Sequence, residues 1–449
     1  MEEAAVSRPN VDERTLRRAV IASAMGNATE WYDYGVFTSG VVLTTIGSVF
    51  FPEGTQAAAV LKGLALVAVG FIVRPFGGAF FGPLGDKLGR QKVLAMTILL
   101  MSGCTFLVGC LPSYDSIGIG APILLLLLRM IQGFSTGGEY GGAATFIAEY
   151  APTKRRGFWG SFLEMGTLAG YVLGNTVVLV AALALSTEQL ESWGWRIPFF
   201  IALPLGLVGL YLRSKLEDTP EFRRLDAAGE KSEKAPLKET FVRNWRMILN
   251  LIGIVLLLNI ADYMLLTTMP SYFTSTLKID DNTATLIVIG VELFQILLIA
   301  PLGALSDRIG RKPLLLTAAI GFAVLSWPSF KLMQTGSIFL LVVGFLIVAT
   351  LLVFMLAVIG STFPAMFPTR VRYGSFAIGY NLSTSIFGGT CGVIVTALIQ
   401  GTGDKDWPAY YLIVAALIAI VPIIKIPETS GVPIEQIDDT APDAKKAAV

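Results

Sequence analysis

Histidine is absent from this 449-residue chain, cysteine occurs three times, and Asp, Glu, Lys and Arg together make up only 15% of it. Each shortage excludes something. Without histidine, proton chemistry near neutral pH falls to carboxylates tuned by burial, to buried lysine or to perturbed thiols. Cys104, Cys110 and Cys391 lie in apolar stretches with no metal-like spacing and no charged neighbour, so they read as small core residues rather than a disulfide framework. No metal and no cofactor is expected. With no His and no Cys pair, the usual nucleophile–base and metal constellations of an enzyme are missing. A formal net charge of +1 gives neither nucleic acid nor an acidic partner an excess to bind.

What is present in quantity is apolar: hydrophobic residues make up 54% of the chain and the mean hydropathy is +0.67. That places the protein in a membrane. A helical crossing needs about 20 mostly apolar residues, and such windows recur between polar breaks to give twelve candidate spans, from 19–48 to 408–426. The breaks alternate in charge. Lys87, Arg90, Lys92, Lys154, Arg155, Arg156, Arg308, Arg311, Lys312, Arg370 and Arg372 fall on one side, and the loops of the other side are poor in Lys and Arg. By the positive-inside rule the basic loops and both termini face the cytoplasm, and a plasma (inner) membrane location is expected. The polar connection 215–245 divides the spans six and six, giving an N-terminal bundle over 1–214, a C-terminal bundle over 246–427 and a short tail over 428–449. The halves echo one another: GPLGDKLGRQK follows the second span and GALSDRIGRK the eighth, an internal repeat of the kind from which secondary transporters are built.

These residues resemble the major facilitator superfamily: GxLxDxxGR occurs at Gly82, Leu84, Asp86, Gly89 and Arg90 and again at Gly303, Leu305, Asp307, Gly310 and Arg311, and RMIQGFSTG (129–137) is similar to its fourth-span motif. More narrowly, GNATEWYDYG, FIVRPFGGAFFGPLGDKLGRQK, GFSTGGEYGGAATFIAEYAP and WGWRIPFFIALPLGLVGLYLR resemble the metabolite:proton symporter branch. Within it LEMGTLAGY, NIADYMLLTTMPSYF and WPAYYLIV are most similar to proline/glycine-betaine:proton symporters. The resemblance implies an all-α integral membrane fold, twelve transmembrane helices in two pseudo-symmetric six-helix bundles. It also implies import of a small zwitterionic osmolyte with a proton by alternating access. A sister activity, proton-coupled transport of a di- or tricarboxylate such as 2-oxoglutarate or citrate, is the alternative, and a membrane osmosensor or receptor a remote one. The chain departs from the enterobacterial carriers in having no a/d heptad repeat after its last span, and from the family pattern in carrying Glu292 in the eighth.

Carboxylates inside spans are expensive and mark function by default. Asn27, Glu30, Asp33, Tyr34 and Phe37 share one helical face, read as lining a water-filled cavity between the halves. Glu30 and Asp33 there either carry the proton or pair with a buried arginine. The candidates for proton coupling are Glu30, Asp33, Glu139 and Glu164, with Arg129 the residue the superfamily motif implicates; Arg129 and Glu139 are expected near one cavity wall. Glu149, Asp262 and Glu292 complete the set of buried acids. Arg74 needs either a protein acid or a substrate carboxylate. For the substrate the candidates are Asn27, Trp31, Tyr34, Phe37, Arg74, Tyr140, Asp262, Tyr263, Tyr380 and Asn381, the aromatics as a cage for a quaternary ammonium. Gly82, Asp86, Gly89, Arg90, Asp307, Gly310 and Arg311 are expected to gate by latching one half to the other. Gly166, Gly170 and Gly174 read as a close-packing stripe, and Trp193, Trp195 and Arg196 as interfacial anchors. The expected partners are a small-molecule substrate, a proton and lipid, with no nucleic acid and no obligate protein.

Overall fold

The computed structural model describes residues 13–51, 56–88, 90–214, 237–367 and 372–433, and every regular element among them is a helix. Eleven crossings among the described residues are long and apolar enough to span a bilayer. The first of the twelve is the exception: α1 (Glu13–Thr38) holds Glu30 and Asp33 among other polar and aromatic residues, and Ser39 interrupts it with extended backbone before α2 (Gly40–Phe50). The remaining crossings of the first half are α3 (Gln56–Leu88), α4 (Arg90–Cys110), α5 (Gly120–Thr136) continued by α6 (Glu139–Tyr150), α7 (Arg156–Ala184) and α8 (Ile197–Ser214). Those of the second are α9 (Leu237–Asp262), α10 (Asp281–Ile309), α11 (Lys312–Met333), α12 (Ile338–Thr362), α13 (Arg372–Ser383) continued by α14 (Cys391–Thr402), and α15 (Trp407–Lys425).

Two crossings lose regular α geometry in mid-membrane. Beyond α9 the chain winds as π-helix over Tyr263–Thr268 and Tyr272–Thr276, on either side of Met269–Ser271. Pro270 has no N–H to give to the ladder, and a wider turn is one way for the neighbouring carbonyls to find other donors. Beyond α13 a second π stretch covers Thr384–Gly388. Both stretches face the first bundle, where irregular backbone is tolerated because protein rather than lipid surrounds it.

The two bundles meet where α7 packs against α10 and α12, and where α3 packs against α13. Lipid-facing positions such as Ile72, Phe76, Leu297 and Phe339 stay exposed, while a continuous apolar core runs through both bundles. Within the first bundle α1 lies along α7. The small-residue stripe makes that approach possible. A Cβ on Gly166 would stand 2.3 Å from the Ala24 carbonyl oxygen, one on Gly170 2.5 Å from that of Ala28, and one on Gly174 2.7 Å from that of Tyr32. Those neighbours are helix backbone and cannot turn aside. Trp195, expected at the membrane interface, instead packs inside against Phe50 and Phe199, and only Trp193 stays exposed. Arg196 ties that corner by donating to the carbonyls of Gly109 and Leu111 at 2.6 and 2.5 Å.

Gly170→Val should force α1 and α7 apart, at a cost of about 1–3 kcal/mol from overpacking. The measurement is thermal unfolding of the purified variant in detergent: a lowered transition is expected, and an unchanged one would show that the helices do not approach this closely.

Candidate functional site

Asp33 sits on α1 two turns from its break, and Arg129 in the third turn from the end of α5. Arg129 donates to Asp33 Oδ2 at 2.5 Å, and both side chains are buried. Gln132, one turn on from Arg129, donates to Asp33 Oδ1 at 3.1 Å and to Thr105 Oγ1 at 2.8 Å while accepting from Arg129 at 3.0 Å. The guanidinium also lies over the Phe37 ring, 3.3 Å from its centroid. Removing either charge would leave the other alone at bilayer depth.

One helical turn earlier, Glu30 accepts from Arg74 of α3 at 3.2 Å, and Arg74 also donates to the Tyr34 hydroxyl at 2.9 Å. Arg74 therefore has a protein acid. Its guanidinium rests against Phe71, Tyr34 and Trp31, with centroids at 4.3, 5.4 and 5.8 Å. Those rings extend into a cluster drawn from both bundles: Trp31 lies 5.5 Å from Tyr171 and 5.9 Å from Tyr263, and Phe71 lies 4.8 Å from Tyr263. Several polar atoms here make no hydrogen bond within the protein, among them the Tyr263 hydroxyl, Asp262 Oδ1, Glu30 Oε2 and Arg74 Nε. Asp262 and Tyr263 stand where α9 gives way to π-helix. Asp262 lies within electrostatic reach of Glu164 and Arg74.

The other candidates take separate positions. The Tyr140 hydroxyl donates to Glu164 Oε1 at 2.5 Å, and its ring stacks on Tyr380 at 4.3 Å with planes 11° apart. This is a second aromatic contact between the bundles, beside an acid. Asn381 donates to the Gly137 and Ala377 carbonyls at 2.8 Å each, tying α13 to the bend between α5 and α6. Asn27 anchors α1 on α7 through Leu163 O and Thr167 Oγ1 and accepts from the Trp31 indole at 3.2 Å. Glu139 does not meet Arg129. The bend at Gly137–Gly138 turns α6 away, and Glu139 pairs with Arg213 of α8 at 2.8 Å. The face of α1 read as lining a water-filled cavity is instead sealed by these pairs, with Asn27, Glu30, Asp33, Tyr34 and Phe37 all at 3% exposure or less.

At the basic end of the molecule Asp307, in the last turn of α10, accepts the backbone N–H groups of Gly157 and Phe158 at 2.7 and 2.9 Å. These are unpaired donors of the first turn of α7, so a carboxylate of one bundle caps a helix of the other. Gly310 follows at φ +97°, which only glycine adopts without strain, and a Cβ there would meet the Glu428 carboxylate at 2.7 Å. Arg311 is 3.8 Å from Asp307 and donates to Thr429 and to the Ser361 carbonyl. Burial raises the Glu428 carboxyl, but the backbone N–H groups of Arg311, Lys312, Ser430 and Thr429 outweigh it and hold it below the usual carboxylate range. Its contribution to stability is therefore present at neutral pH and lost as pH falls through the acid range. Gly89 and the side chains at Gly82, Asp86 and Arg90 lie outside the described residues.

The family model for "Sugar (and other) transporter" matches residues 19–238 and 224–441. A "Proline/betaine transporter" of Salmonella typhimurium is 44% identical over 445 residues, covering 97% of this chain and 88% of the relative. The "Glycine betaine/proline/ectoine/pipecolic acid transporter OusA" of Dickeya dadantii is 43% identical over the same shares. Among solved structures, the major facilitator proton:xylose symporter XylE with bound 6-bromo-6-deoxy-D-glucose has a TM-score of 0.77 at 17% identity, covering 95% of this chain and 98% of that one. Fold and matches together define a multi-pass membrane transporter of the major facilitator superfamily, with no enzymatic activity implied. The chain belongs to that superfamily's sugar (and other) transporter family and groups there with the proline/betaine transporters.

Sequence reasoning passed over Arg213, Phe71 and the ring of Tyr171. Arg213 ends an apolar run and looks like one more loop-flanking cation, and only its contact with Glu139 gives it away. Glu139→Gln should strand a buried guanidinium and cost about 3–5 kcal/mol, whereas Glu139→Gln with Arg213→Met should recover most of that loss. Thermal unfolding of the single and double variants measures the coupling; additive effects would mean the two residues do not act as a pair.

Proposed function

We propose that the protein imports a small zwitterionic osmolyte of the proline and glycine betaine class together with a proton, by rocking of its two bundles about a midplane site. The bundles in this reading are 1–214 and 246–427, joined by a cytoplasmic linker, with both termini in the cytoplasm and the chain in the plasma membrane. The observation that carries the reading is the cluster of Trp31, Tyr34, Phe71, Tyr171 and Tyr263 around Arg74, with Asp262 Oδ1 and the Tyr263 hydroxyl beside it lacking hydrogen-bond partners. Aromatic faces attract a desolvated ammonium by about 2 kcal/mol each, Asp262 supplies its countercharge, and Arg74 takes the carboxylate end. A zwitterion brings both charges and so leaves the site's balance unchanged. Di- and tricarboxylates are disfavoured because Arg74, with its Nε unpaired beside Glu30, can serve one carboxylate, while Arg129 is held by Asp33 and leaves a second carboxylate without a cation. The names of the relatives point the same way.

In the proposed cycle a proton on Asp33 releases Arg129, whose charge must then find another partner, and the bundles part to supply one. Asp307 on the first turn of α7, with Gly310 and Arg311 behind it, closes the cytoplasmic side, and the sequence repeat gives Asp86 and Arg90 the matching gating role in the first half. Glu30, Glu139 and Glu164 set the field around the site, and Tyr140, Tyr380, Asn381 and Phe37 hold its walls.

Uptake of labelled glycine betaine and proline into proteoliposomes, with an inward proton gradient and with Na⁺ present or omitted, tests the reading. Saturable uptake that needs the proton gradient, ignores Na⁺ and resists excess 2-oxoglutarate and citrate is expected. Uptake of only the carboxylic acids would overturn the zwitterion assignment.

A further inference from the structure

One buried acid stands outside the scheme so far. Glu292 projects from α10 into the α7 seam, where Asn175 donates to its two carboxylate oxygens at 3.2 and 3.3 Å. Glu292 is 1% exposed and Asn175 2%. The contact joins the two bundles about 22 Å along α10 from Asp307, so the same pair of helices is bridged by a carboxylate at one end and by an acid–amide pair in mid-membrane.

Glu292 has no cation among the described residues around it, and its one partner is a neutral amide. Glu30 faces Arg74, Asp33 faces Arg129, Glu139 faces Arg213, and Glu164 accepts from a phenol. The elements packed on α10 are α2, α7, α12, Thr153–Arg155, Met269–Ser271 and Tyr272–Thr276. Their ionisable residues are Lys154, Arg155, Arg156, Glu164, Tyr171 and Tyr272. The cations all lie at the first turn of α7, about 28 Å along that helix from Asn175. On α10 itself Arg308 is about 24 Å away. Tyr171 stands one turn from Asn175, with its hydroxyl 3.1 Å from Thr267 Oγ1, and Tyr272 donates to the Lys405 carbonyl. A carboxylate sealed here would be held by one neutral amide, at a cost of several kcal/mol. With a proton aboard the group is neutral, and the carboxyl still accepts from the Asn175 amide.

We propose that Glu292 is a second proton-carrying group of the transporter, protonated while the α7–α10 seam is closed around it and exchanging its proton with water when the bundles part. This rests on the proton-coupled reading above and deepens it. Opening the seam exposes the carboxyl to water and breaks the Asn175 contact; the O–H bond then breaks to water, and re-forming it readies the seam to close. Seam opening and proton exchange are thereby one event, independent of whether Asp33 has released Arg129.

The test uses the full chain in proteoliposomes as wild type, Glu292→Gln, Glu292→Asp and Asn175→Ala, comparing gradient-driven accumulation of labelled betaine with downhill uptake across external pH. Glu292→Gln keeps a partner for Asn175 but cannot titrate. It should lose about tenfold in gradient-driven accumulation with a far smaller loss in downhill uptake, and its pH dependence should flatten. Glu292→Asp should retain the gradient response. Glu292→Gln with the accumulation and pH profile of wild type would overturn the proposal, as would equal loss of both modes in the Gln and Asp variants, the mark of a packing role. Should Glu292→Gln fail to fold, Asn175→Ala leaves the acid in place and should displace the pH of half-maximal uptake by about half a unit or more; an undisplaced midpoint overturns it equally. If wild type itself shows no proton-driven uptake, the symport reading falls rather than the assignment of Glu292 alone.

Discussion

An ion without a counterion cannot be held at the depth of a bilayer, and the arrangement of this transporter follows from that constraint. Three arginines buried within the first six crossings have their charge met by an acid: Arg74 by Glu30, Arg129 by Asp33 and Arg213 by Glu139. Because each partner comes from a different helix, the pairs fix how α1, α3, α5, α6 and α8 stand about one another. The same economy makes them responsive. A proton added to one acid releases a guanidinium that must then find another partner, and in a sealed core the nearest way to do so is to move helices.

The glycine stripe and the ion pairs act on the same helix from opposite sides. Gly166, Gly170 and Gly174 bring α7 against the backbone of α1, which leaves the acidic face of α1 directed at α3 and α5. Tyr171 and Asn175 alternate with those glycines on α7 and face the second bundle through Thr267 and Glu292. α7 therefore touches the ion-paired helix on one side and the moving seam on the other. Packed backbone, without a flexible link, joins α1 to the seam.

Much of this was legible in the sequence. Twelve apolar windows, the repeat GPLGDKLGRQK and GALSDRIGRK, and the acids in GNATEWYDYG gave the fold class, the pseudo-symmetry and the importance of α1, since periodicity and composition are local properties. The first crossing was readable as a span although Glu30 and Asp33 depress its hydropathy. What remained hidden was partnership. Glu139 and Arg129 share a span, but one bend at Gly137–Gly138 hands Glu139 to Arg213, seventy-four positions later. Asn381 looked like a substrate ligand and ties a bundle seam, while Trp195 looked interfacial and lies in the core. The expected cavity face is dry in this closed arrangement because the acids have arginines to meet, which no spacing rule on α1 alone could reveal.

The central claim is that the Asp33–Arg129 pair carries the transported proton. The most direct measurement is the external pH of a lightly buffered suspension of proteoliposomes on addition of glycine betaine, with wild type and Asp33→Asn compared. Alkalinisation with wild type and a markedly smaller one with Asp33→Asn is the result this account predicts. Equal alkalinisation from both would contradict it and move the proton to another acid.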